Sequence, residues 1–151
     1  MLVWLEHPEK ATGTLMKLDL ATSQDMIAAA IEQATQLEAD VSVAVVDGGG
    51  NLVAFGRMDG AEIAGPTLAV DKAYTSVSNR ISTQELSVLA APGGPLFGLH
   101  SNGGGRFVIF GGGIPIFDGD VVVGAIGVSG GSVDQDVACA SAGAAVLDGR
   151  R

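Results

Sequence analysis

The chain is poor in the residues that most often carry chemistry. It has one cysteine and two histidines in 151 residues. Cys139, being alone, makes no internal disulfide, which fits a reducing compartment. Aromatic residues are 5% and charged residues 17%, so the surface is short of charge unless another subunit covers part of it. Basic residues number 8 against 17 acidic ones, a net charge of −9. The basic ones are scattered rather than gathered into a stripe, and that removes the electrostatic term on which nucleic-acid affinity depends. The longest apolar strand, Val121 to Val128, falls well short of the roughly 20 residues that span a bilayer. The opening MLVWLEHPEK lacks the basic lead and apolar run of a secretory signal, so a cytoplasmic protein is expected. No lysine follows a GxxxxG spacing and no G-x-G-x-x-G joins a strand to a helix, which disfavours nucleotides.

What the chain does have is glycine, and its placement is informative. From Gly111 to Leu147 glycine loops bracket apolar strands and then open into a helix, aiming backbone N–H groups and a helix N-terminus at one place. Residues 1–18, with Pro8 and Gly13 and no period, read as an N-terminal arm; residues 19–151 read as one domain.

Ile27, Ile31, Ala34 and Leu37 recur at helical spacing, with Asp19 or Thr22 as cap. Val41 to Val46 and Leu52 to Arg57 flank Asp47-Gly-Gly-Gly-Asn51 as a hairpin. Gly65-Pro66 opens a helix that ends near Asn79, and Ser82 or Thr83 caps a short one stopped by Pro92. Arg106 to Phe110, Ile114 to Phe117 and Val121 to Val128 read as three more strands, the last two joined by a turn at Gly119-Asp120. Ser132 and Gln135 form a capping box for a final helix. Its stripe of Val133, Val137, Ala140, Ala144 and Leu147 has small residues on the other side as well. The order αββααβββα predicts an α+β domain with helices flanking a five-stranded antiparallel sheet.

The segments Ala44–Val53, Arg57–Ala61, Asp71–Ala73, Gly112–Pro115 and Val123–Gly131 through Asp136, in that order, resemble the haem-degrading-domain family, also called GlcG/HbpS-like. The resemblance spans about residues 19 to 147 and includes the domain fused to corrinoid adenosyltransferases. It implies a five-stranded antiparallel sheet, assembly into a homo-oligomer of four to eight subunits, and haem binding or slow haem degradation in some members. At least one haem-binding relative uses a histidine on its first helix, whereas residues 19 to 38 contain none, so that axial ligand is not carried over. Other relatives bind haem through weaker ligands such as a hydroxyl.

Four sets of residues are candidates for a site. His100, in a glycine-flanked loop, is the candidate iron ligand or acid–base group, unless it is an ordinary loop histidine. Arg57, Asp59 and Lys72 either converge to hold a carboxylate and move a proton, or form an ion pair that fixes a corner. Gly111, Gly112, Gly113, Gly130, Gly131 and Ser132 either present N–H donors to an anionic group of a cofactor or simply permit turns. Asp134 and Asp136 are explained by the positive end of the helix dipole and are not read as catalytic. His7, in the arm, suits at most a contact to a neighbouring subunit. Three functions follow from these candidates. The first is a haem or tetrapyrrole binder using His100, Phe107 or Phe110. The second is a catabolic enzyme or accessory protein of isomerase, lyase or hydratase type acting on a carboxylated metabolite. The third is a structural oligomer without ligand.

Overall fold

A computed structural model of the chain describes residues 14–150. The first helix, α1 (Leu20–Gln36), starts where the Asp19 carboxylate accepts the Thr22 N–H, and it buries Met26, Ile27, Ala30 and Ala34. The hairpin follows as β1 (Ser42–Asp47) and β2 (Leu52–Arg57). The Asp47 carboxylate closes its turn by accepting the N–H groups of Gly49 and Asn51. Next come α2 (Gly65–Asn79), with proline in its first turn, and α3 (Thr83–Leu89), opened by a capping box between Ser82 and Glu85. After two short 3₁₀ turns come β3 (Gly113–Asp118), β4 (Val121–Ser129) and α4 (Val133–Ala145), whose start is the Ser132–Gln135 capping box.

The sheet has four strands in the order β2-β1-β4-β3, all antiparallel, not the five expected. The segment 106–110 is what departs. Its apolar run meets a helix instead of a strand partner: Phe107 stacks on Tyr74 of α2 at 6.1 Å, and the Val108 backbone N–H donates to Thr75 Oγ1 at 3.0 Å. The order of described elements is therefore αββααββα, and β3 is left as an edge strand, where Pro115 is tolerated.

The two faces of the sheet are covered differently. Val43, Val45, Ile126 and Val128 pack with α1 and α4 in the main core, while Val46 and Ala125 pack with Ala73 and Val77 of α2. Gly127 lets α2 lie this close, since a Cβ there would overlap the Ala69 carbonyl oxygen. The expected arm falls mostly outside the described residues, as does His7. Of its last residues, Met16 donates its N–H to Asp118 at 2.7 Å and Leu18 is buried in the main core. Among the described residues no helix is long and apolar enough to cross a membrane.

Candidate functional site

Asp71 and Lys72 are neighbours on α2 and point to opposite environments. Asp71 accepts from Arg106 Nε at 2.8 Å near the surface. Lys72, wholly buried, reaches the end of the sheet and donates to Asp136 Oδ2 and to the Val128 carbonyl, each at 2.9 Å. Asp136, in the first turn of α4, is also buried, and its second oxygen accepts the Gly131 N–H at 2.9 Å. The Phe110 ring covers the ammonium, its centroid 5.0 Å from Nζ, and is itself 40% exposed.

Burial lowers the affinity of Lys72 for its proton, and the Asp136 charge and hydrogen bond, with a smaller contribution from Glu62, oppose that. Burial likewise raises the Asp136 carboxyl above the ordinary carboxylate range, against the pull of Lys72 and of the Gly131 and Gly130 N–H groups. Desolvation is the largest cause for both partners, so the pair is held away from water at a cost that mutual contact and the backbone hydrogen bonds to Val128, Gly130 and Gly131 offset.

The glycine loop is shaped around this pair. Gly112 takes φ +127°, and a Cβ there would lie 2.8 Å from Lys72 Nζ. A Cβ on Gly111 would stand 2.7 Å from Val137 and 3.0 Å from Val133 of α4. Gly111, Gly112, Gly113, Gly130 and Gly131 thus gather with Lys72 at one end of the molecule. Several of their amides have internal acceptors, however: Gly113 donates to Thr83 Oγ1 at 2.8 Å, Gly131 to Asp136, and Ser132 to Gln135 at 2.9 Å.

The other sequence candidates lie apart from the pair. Arg57 and Asp59 are exposed, and the Arg57 guanidinium donates to the Ala61 carbonyl at the corner before α2. Lys72 takes Asp136 as its carboxylate partner, not Asp59. His100 is exposed in the 3₁₀ turn Leu99–Ser101, edge-on to Phe97 at 6.4 Å, beside a depression of about 420 Å³ that includes Pro95, Leu96 and Asn102. No group of three or more His, Cys, Asp or Glu side chains able to hold a metal ion occurs among the described residues.

Asp136 is the residue the motif reading passed over. Its signal lies in the helix pattern: Asp136, Cys139, Ala140 and Gly143 are the buried positions of α4, while Val133 is 45% exposed. The inward stripe is therefore rotated from the one drawn through Val133, and it carries one carboxylate.

Comparison with known proteins agrees with this architecture. A family model described as "Haem degrading protein HbpS-like" matches residues 18–145. The corrinoid adenosyltransferase PduO of Salmonella typhimurium strain LT2 is 36% identical over 143 residues, 95% of this chain, and the chain spans 43% of that protein's length. The crystal structure of the Klebsiella pneumoniae protein ORFY superposes with a TM-score of 0.85 at 34% identity, covering 92% of this chain and 97% of that one. The crystal structure of the PduOC:Heme complex superposes with a TM-score of 0.84 at 36% identity, covering 88% and 96%. The chain belongs to the HbpS-like haem-degrading protein family.

Proposed function

We propose that this protein binds haem or a related tetrapyrrole as a homo-oligomer. The observation that carries the reading is the exposed apolar pair Phe110 and Val133, set on the glycine loop and the start of α4 above a buried ammonium. An apolar macrocycle with carboxylate side chains matches such a surface: the ring lies on Phe110 and Val133, and the acid groups turn toward Lys72 and the N-terminus of α4. Support comes also from the relative crystallised as PduOC:Heme. When bound, the group supplies an iron centre within an apolar plane. His100 is the histidine of the described residues available to meet such an iron, on the segment that runs from α3 to the glycine loop. Self-association is supported by large apolar side chains left in solvent, Ile63 at 95% and Val88 at 73%.

Titration of the purified protein with hemin is expected to give a saturable Soret shift, with the His100→Ala variant altered in spectrum or affinity. No saturable shift refutes the reading, and an unchanged His100→Ala titration moves the iron ligand elsewhere.

A second reading, proton transfer on a carboxylated metabolite, is favoured by the opposed shifts of Lys72 and Asp136, which bring an acid and a base toward each other in proton affinity. Thermal-shift screening of small organic acids tests it, and a flat screen counts against it.

A further inference from the structure

The Lys72 ammonium has three N–H donors. Two go to Asp136 and the Val128 carbonyl, which leaves the third to the Phe110 ring. A ring face is a weak acceptor beside a carboxylate oxygen. The residues at the site are unequal in how firmly they are held. Lys72 and Asp136 are buried, whereas Phe110 is 40% exposed and is followed by three glycines, of which Gly112 has the positive φ. The partly exposed Phe110 ring, together with the buried Gly112 backbone, lies over a buried cation. Beside that ring Val133 opens α4, where the capping box takes the Ser132 and Gln135 N–H groups and the Val133 and Asp134 N–H groups have no backbone acceptor within the helix.

We propose that Phe110 is a displaceable cover and that Lys72 beneath it anchors the carboxylate of a ligand with an apolar body. The ring moves off the ammonium, the carboxylate takes the third donor, and the apolar body settles on Phe110 and Val133. The exchange replaces a cation–ring contact with a charge-assisted hydrogen bond. The net charge of Lys72, Asp136 and the bound carboxylate is then −1, facing the positive end of α4. This assignment deepens the tetrapyrrole reading, because propionates are carboxylates on an apolar body, but it does not need iron.

The test is acylation of the folded protein with acetic anhydride, read residue by residue by mass spectrometry. Lys10 and Lys17 serve as internal references, since the chain has three lysines. Lys72 is expected to be protected in the parent protein and to become labelled in Phe110→Ala, whose folding is checked by circular dichroism. Benzoate, as a plain apolar carboxylate, is expected to suppress the new labelling, its ring filling the space beside Val133 that the Phe110 ring leaves. Lys72 that stays unlabelled in folded Phe110→Ala, or labelling indifferent to benzoate, overturns the proposal. A Phe110→Leu variant, which keeps an apolar cover without the ring, replaces Phe110→Ala if the latter does not fold. In a separate arm, hemin is compared with its dimethyl ester, and the ester is expected to bind at least tenfold more weakly. Equal binding of the two refutes the anchor while leaving the tetrapyrrole reading intact. Failure of hemin itself to bind refutes that reading and leaves the labelling result to decide the anchor.

Discussion

Two ion pairs start from adjacent residues of α2 and end in opposite places. Asp71 meets Arg106 near the surface, with side chains 19% and 38% exposed, and the guanidinium also stacks on Tyr74 at 3.6 Å. Lys72 meets Asp136 at nearly the same separation, 2.9 Å against 2.8 Å, but with 0% and 4% exposure. Distance therefore does not rank them; solvent does. The outer pair is screened and replaceable by water, and the inner one has no substitute partner if either member is lost.

The largest expected effect comes from breaking the inner pair. Lys72→Met is expected to destabilise the protein by about 3–5 kcal/mol, because Asp136 is left buried without a cation. Chemical denaturation reads this, and the double variant Lys72→Met with Asp136→Asn is expected to recover much of the loss. A single variant as stable as the parent would erase the distinction between the pairs.

A smaller effect follows from Cys139, buried one turn beyond Asp136. Burial first and the Asp136 charge second raise its thiol from 9.0 to about 11. The folded state therefore keeps a proton between those values that the unfolded chain releases. Stability from this group is complete below pH 9 and is lost as pH rises toward 11, by about 2–3 kcal/mol in all. Cys139→Ala is expected to flatten that part of the stability-versus-pH curve, and a slope unchanged by the substitution would remove the thiol from the account.

The outer pair is expected to matter less. Arg106→Gln is expected to cost about 0.2–1 kcal/mol, with the larger share at low salt. The pair of Arg150 with Asp25, 42% and 57% exposed, is weaker still. Asp25→Asn is expected to stay within about 0.5 kcal/mol of the parent in thermal unfolding. A loss at Arg106 equal to that at Lys72 would show that geometry, not burial, sets the scale.

The parts of the fold that rest on local chemistry were readable in the chain. A cap at Asp19 or Thr22, another at Ser82 or Thr83, the capping box at Ser132, the proline that opens α2 and the hairpin around Asp47 all depend on residues a few positions apart; the structure has each feature, taking Asp19 and Ser82 as the caps and adding Glu85 to Ser82 as a second capping box. The segment 106–110 was not readable, because Tyr74 and Thr75, which hold it, lie some 30 residues away and compete with strand pairing through side chains. At the site, the gathering of the glycine segments near Lys72 was legible as motif. Its partner was not: a carboxylate in the first turn of a helix is what the dipole favours, and that sufficient local reason concealed the burial of Asp136 against a residue 64 positions earlier.

Pro115 has a consequence beyond its own strand. Lacking an N–H, it cannot donate into the ladder with β4, so its nitrogen falls on the open margin of β3. An incoming strand would find a donor missing there, whereas β2, the opposite margin, contains no proline. A strand added along β3 would therefore forgo one ladder hydrogen bond at Pro115, a local guard against edge-to-edge pairing on that margin.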